Sequence, residues 1–203
     1  SRQLARYIKE MAGRYVPEQE VVLNYRSDRY RRGGDQRYFQ QNGFTAVRVC
    51  EYCEDYERTH QDVRTEDGVD YGDLIDYVDF PYLVRNIRIN LAAVMSLADA
   101  PATPTGARIA NANELDNNTI LSWEPVPGWN GQPDPTVSYQ ILCRETDQSA
   151  WLPALPMGLS DIVPAREESG RLTFSCPLSK DNYYFAIRAV SADGKPSLPA
   201  VAR

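Results

Sequence analysis

Apolar residues change their spacing twice along the chain. Leu4, Ile8, Met11 and Tyr15 recur every three or four residues, which predicts an amphipathic helix that Pro17 stops. Val21-Val22-Leu23-Asn24-Tyr25 reads instead as a buried strand. Gly33-Gly34 then break the chain, and Asp35 is placed to cap a short helix through Phe39 to about Gln41, ended by Gly43. Residues 44–49 predict a second strand, and a long acidic loop follows it. Phe80, Leu83, Val84, Ile87, Leu91, Val94, Met95 and Ala98 predict the longest helix, with Asp79 or Asp76 as its N-cap and Pro81 tolerated in the first turn. Strand, helix, strand, helix predicts an α/β layer with a parallel element. Two strands are too few for a complete doubly wound sheet. Residues 1–100 therefore read either as a small α/β domain or as the last third of a larger one.

The second change comes at Ala98-Asp99-Ala100-Pro101-Ala102-Thr103-Pro104-Thr105, a semi-rigid Pro/Ala linker over about 98–105. Beyond it, in residues 101–203, the pattern is all β. Strands are expected at 120–123, 137–143, 172–174 and 183–190, separated by Gly, Pro, Asn and Asp. Tyr183, Phe185, Ile187 and Ala189 alternate inward, and Ala192-Asp193-Gly194-Lys195 is a hairpin turn. Such a pattern makes a β-sandwich. Trp123 on the second strand, Tyr139-x-Ile141 on the third, and Tyr183-x-Phe185-x-Ile187-x-Ala189-Val190-Ser191 before a Gly turn resemble a fibronectin type III domain over 104 to about 201. Domains of that kind are usually adhesion or spacer modules, so the resemblance directs the search for chemistry to the first hundred residues.

Composition adds exclusions. With 42% hydrophobic and 25% charged residues the chain is ordinary globular material. A net charge of −6 argues against a sequence-independent nucleic-acid binder, which needs a basic face. No apolar run approaches the roughly 20 residues needed to span a bilayer. The chain opens Ser1-Arg2-Gln3-Leu4, already in helical periodicity and without a signal peptide, which is expected of a piece of something longer. Arg26, Arg29, Arg31, Arg32 and Arg37 form a basic cluster, and eleven carboxylates between Glu51 and Asp79 face only Arg58 and Arg64. The bland interpretation is a pair of solvated, complementary faces. Cys50-x-x-Cys53 lacks the second pair of a zinc knuckle and leads into a loop rather than opening a helix. Cys143 and Cys176 share the inward parity of their strands, as small buried residues or as one disulfide.

The remaining candidate chemistry centres on His60, the single histidine of the chain. Imidazole is the commonest zinc ligand and the usual base near neutral pH, but a catalytic zinc takes about three protein ligands. His60 is therefore either one member of an incomplete set or a polar loop residue. The order of motifs around it bears on that choice: Arg32-Gly33-Gly34-Asp35-Gln36-x-x-Phe39, Gly43-Phe44-x-Ala46-Val47-Arg48, Glu54-Asp55-Tyr56-x-x-x-His60-Gln61-Asp62-Val63-Arg64, then Tyr71-Gly72-Asp73-Leu74 and Tyr77-Val78-Asp79-Phe80-x-Tyr82. The succession resembles the C-terminal end of the secreted bacterial zinc aminopeptidases of metallopeptidase family 28. These carry Gly-Gly-Asp-His-x-x-Phe, Gly-Phe-Pro-Ala-Val-Arg and His-Gln-Asp-Val-Arg in the same order, and a fibronectin-like domain can follow.

The resemblance implies an incomplete C-terminal part of an α/β zinc-exopeptidase domain followed by the sandwich. It implies that His60 is the last zinc ligand, that Asp35 supports the site by hydrogen bonding from outside the ligand set, and that Phe39 and Tyr56 help wall a substrate pocket. Asp62 would orient the His60 ring, unless a backbone carbonyl does so. Gln36 stands where the family usually has histidine, and Thr45 where it has proline. The family's other metal ligands and its general base precede the matched segment, so this chain alone is expected to bind zinc weakly or not at all. A peptide substrate, the missing N-terminal part of the domain and a second copy of the chain are its expected partners, and a periplasmic or secreted location is implied. The competing interpretation is a non-catalytic binding or spacer protein acting through the sandwich.

Overall fold

A computed structural model describes residues 1–26, 33–160 and 162–203, and these form two compact units, Ser1–Ala93 and Val94–Arg203. The division falls inside a helix, ahead of the Pro/Ala segment.

In the first unit, helix α1 spans Arg2–Tyr15 and buries Tyr7, Met11 and Ala12. Its last turn closes with the Val16 N–H donating to the Ala12 carbonyl at 2.8 Å, just before Pro17. Ala12 and Val16 pack with Ile89, flanked by Ile8 and Val21. Tyr15, expected on the same face, is instead exposed. Helix α2 spans Gln36–Gln41; Asp35 occupies its N-cap, but with helical backbone angles and no side-chain capping bond.

Neither predicted strand of this unit forms among the described residues. Segments 21–25 and 44–49 carry no ladder, so there is no parallel pairing. An apolar run becomes a strand only when a neighbour supplies N–H and C=O groups. Around Ala46 those partners are side chains: its N–H donates to Ser1 Oγ at 3.3 Å and its carbonyl accepts from Gln40 Nε2 at 2.7 Å. Tyr25 lies against the guanidinium groups of Arg2 and Arg6.

The acidic loop contains a hairpin instead. Strands β1 (Arg64–Glu66) and β2 (Val69–Tyr71) pair antiparallel, with Thr65 opposite Asp70. Asp67 and Gly68, at φ 50° and 82°, supply the two left-handed residues that a tight hairpin turn needs. Ile75–Tyr77 forms a 3-10 turn. Helix α3 (Phe80–Ala98) then begins on Asp79, whose Oδ1 accepts the Tyr82 N–H at 2.9 Å; Asp76 lies in the 3-10 turn. Ile89, Ala93 and Ser96 are its buried positions, whereas Leu83, Val84, Ile87, Leu91, Val94 and Met95 are exposed. No described helix is long and apolar enough to cross a membrane.

In the second unit seven strands make two antiparallel sheets. They are β3 (Thr105–Ile109), β4 (Thr119–Glu124), β5 (Ser138–Glu145), β6 (Arg166–Glu168), β7 (Arg171–Cys176), β8 (Tyr183–Val190) and β9 (Ala200–Val201). The sheet orders are β3-β4-β7-β6 and β5-β8-β9, four strands and three. Leu121 and Trp123 from one sheet meet Ile141, Phe185 and Ile187 from the other in a single core. Phe185, Ile187 and Ala189 point inward as their parity predicts. Ala186 and Arg188, of the opposite parity, are buried as well, and the Arg188 Nε donates to Gln140 Oε1 at 2.5 Å. The expected hairpin turn closes with the Ser191 N–H donating to the Lys195 carbonyl at 3.0 Å. Cys143 and Cys176 lie in the same core as unbridged thiols. Burial pushes the Cys143 thiol up to about 11, with the neighbouring Cys176 adding to the rise.

A candidate site around His60

His60 is exposed on the loop after Tyr56, and its backbone sits at φ 56°, in the left-handed region. Few residues other than glycine adopt this conformation, and histidine is among those enriched there. The surrounding loop is short of regular structure yet well fastened. Asp55 organises its start: its carbonyl accepts from the Thr59 hydroxyl at 2.8 Å and from the Arg58 N–H at 3.2 Å, while its Oδ1 takes the Glu57 N–H at 3.0 Å.

Two backbone contacts then tie the loop to the end of β2. The Gly72 N–H donates to the Glu57 carbonyl at 2.9 Å, upstream of His60. Downstream, Val63 presses so closely on Gly72 that a Cβ there would lie 2.9 Å from the Val63 Cα; with φ +93° as well, this position requires glycine.

Arg58 follows the first of these contacts in the chain. Its guanidinium lies 3.6 Å from the centroid of the Tyr77 ring, donates to the Asp70 carbonyl, and sits 3.6 Å from Asp55 Oδ2. The Tyr77 hydroxyl in turn donates to Asp70 Oδ2 at 2.8 Å, and the Thr65 hydroxyl to Asp70 Oδ1 at 2.7 Å. Those two hydrogen bonds, helped by the nearby Arg58 charge, hold the Asp70 carboxyl below its usual range. The bond to Asp70 pushes the Tyr77 phenol above its own. Elsewhere in the acidic loop Arg48 pairs with Glu54 at 2.8 Å and Arg64 with Glu66 at 3.1 Å. Of the expected basic cluster, Arg29, Arg31 and Arg32 lie outside the described residues.

The other predicted site residues are more dispersed. Asp35 stands exposed at the start of α2 and lines a concavity of about 300 Å³ with Gly33, Gly34, Arg37, Tyr38 and Gln41. Phe39 does not line it; its ring meets that of Phe44 edge-on at 6.3 Å. Tyr56 is half-exposed, and its carbonyl accepts from Gln61 Nε2 at 3.5 Å. Asp62 is exposed, and its backbone carbonyl accepts from Arg64 Nη1 at 3.4 Å. Among the described residues no group of three His, Cys, Asp or Glu is arranged to hold a metal ion, so these residues do not by themselves fit a zinc centre. Arg58 and Tyr77 escaped the sequence reading as a pair because nothing periodic connects them. The Asp67-Gly68 step, a hairpin signal in the sequence, would have placed β1 and β2 beside the loop.

No family model matches the chain. Over 201 residues it is 39% identical to a "probable zinc metalloprotease" of Leptosphaeria maculans, covering 99% of this chain and 42% of that protein. A protein of the same description from Pyrenophora teres f. teres is 40% identical over 201 residues, covering 99% of this chain and 38% of its own length. One from Pyricularia oryzae is 37% identical over 199 residues, covering 97% and 37%. The chain thus spans about two fifths of the length of these relatives. They come from fungi, whereas the motif order suggested bacterial enzymes.

Proposed function

We propose that this chain is part of a zinc-dependent exopeptidase of the aminopeptidase kind, removing N-terminal residues from peptides outside the cell. The observation that carries the reading is similarity over nearly the whole chain to proteins described as zinc metalloproteases. His60 supports it as a single imidazole held out on a fastened loop. One imidazole is one of the roughly three protein ligands a catalytic zinc takes. The others would come from beyond the described residues, and the seven-stranded unit would serve as a fibronectin type III-like spacer. The test is His60→Ala in a protein of the relatives' length. Zinc content by mass spectrometry and hydrolysis of aminoacyl-p-nitroanilides should both fall. If the variant keeps wild-type zinc and wild-type hydrolysis, the reading fails.

A second reading is a non-catalytic binding protein that acts through the sandwich. Trp129 favours it, being fully exposed on a loop closed by the Gly128 N–H donating to the Gln132 carbonyl at 2.7 Å. Unchanged zinc and activity in His60→Ala, together with a partner lost in Trp129→Ala, would select this reading.

A further inference from the structure

We propose that Arg58 is the positioning residue for His60: its stacked guanidinium fixes the left-handed turn on which the imidazole is presented. The proposal rests on the reading above only for its consequence in catalysis; its geometry stands on the loop itself. His60 lies two residues beyond Arg58, between the two backbone anchor points at Glu57 and Val63. Those anchors hold the ends of the segment, and the Thr59 and Gln61 side chains bond back only to the loop's own start, at the Asp55 and Tyr56 carbonyls. Arg58 adds a tie to the rest of the unit by engaging three partners at once: the face of Tyr77, the Asp70 carbonyl and the Asp55 carboxylate. Tyr77 is itself held by its hydroxyl on Asp70, and Asp70 sits in β2 opposite Thr65. The chain of contacts therefore runs from a hydrogen-bonded hairpin to Arg58, one residue short of Thr59 and two short of His60.

Arginine is the side chain this arrangement requires. A planar guanidinium can lie flat on a ring and donate in its own plane to a carbonyl at the same time, whereas an ammonium on a flexible stem cannot do both. A residue held at positive φ without glycine must be over-determined by its surroundings; the Thr59 and Gln61 side chains bond within the loop, and Arg58 is the side chain that ties it to Tyr77 and the hairpin. If the guanidinium served only as a charge opposite Asp55, lysine would replace it.

Because the chain has one histidine, its ring signals in a nuclear magnetic resonance spectrum need no assignment by mutation. Positive φ brings the amide proton close to its own Hα, so wild type should show a strong intraresidue amide-to-Hα cross-peak at His60. Arg58→Lys should shift the ring signals and cut that cross-peak by about half as the backbone relaxes toward negative φ. Tyr77→Leu, which removes the stacking face but leaves Arg58, should do the same. Wild-type cross-peak intensity and ring signals in both variants would overturn the proposal, as would full rescue by lysine with loss only in Arg58→Ala. Arg58→Ala unfolding the first unit would not affect the test, since Arg58→Lys and Tyr77→Leu carry it. None of these measurements involves zinc, so a failure here is distinct from a failure of the peptidase reading, which the His60→Ala zinc content decides.

Discussion

The rings of Trp123 and Tyr139 meet across the sandwich core at 5.4 Å, tilted by 54°, while the Tyr139 hydroxyl accepts the Val126 N–H at 2.8 Å. One side chain thus serves the core with its ring and a buried backbone donor with its oxygen. Tyr139→Phe keeps the ring contact and orphans the donor, which should cost about 1–3 kcal/mol. Urea unfolding followed by Trp fluorescence would measure it. A variant as stable as wild type would show that the donor finds another partner.

Asn111 plays a comparable part at the turn between β3 and β4. It is 2% exposed; its Nδ2 donates to the Asn118 carbonyl at 2.9 Å and its Oδ1 accepts the Ile120 N–H at 2.9 Å. Asn111→Ala removes both bonds in a buried place and should lower stability by about 2 kcal/mol or more. Asn111→Asp keeps the acceptor alone, so its loss should be separable by comparing the two unfolding midpoints.

The cysteine pairs should differ in chemistry. The folded protein holds the Cys143 proton up to about 11 against an ordinary 9.0, because burial disfavours the thiolate. In the window between these values the unfolded chain binds fewer protons than the folded one, so stability falls as pH rises. It is fully present below about pH 9 and lost progressively above it. Melting temperatures across this range should decline less steeply in Cys143→Ala than in wild type. At neutral pH a thiol reagent should label the exposed Cys50 and Cys53 long before Cys143 and Cys176.

Helix α3 leaves an apolar stripe in solvent, with Ile87 56% and Leu91 55% exposed. Contiguous apolar surface of this sort marks sites of association. The chain by itself should scatter light as more than a monomer at high concentration and bind an anilinonaphthalene dye. Leu91→Lys should reduce both, and a wild-type chain that is monomeric and dye-negative would sink the expectation.

How far the sequence was legible depended on whether a pattern names its own partner. Phe185, Ile187 and Ala189 alternate, and alternation states both the strand and the buried face. The apolar run at 21–25 states only that the segment avoids water. With no strand among the described residues to pair with it, the run is no strand. Helix α3 was legible in extent, but its conspicuous stripe was not its buried face, because Ile89 rather than Leu91 meets Ala12 and Val16. The position of His60 came from the order of motifs. Its fastening by Arg58, through Tyr77 and Asp70, depends on a hairpin fold-back that hydrophobic patterning does not record.

Strand β8 is flanked by β5 and β9, and Phe185 through Ala189 are buried in succession. Each of its amides points to one neighbour, β5 or the shorter β9, and those from Phe185 to Ala189 meet solvent deuterium only when that pairing and the core packed on it open together. Their exchange rates would therefore track opening of the whole sandwich, while amides in segments without a ladder exchange through local fluctuation. A single strand thus offers a built-in gauge of global unfolding for the second unit, readable without adding any label.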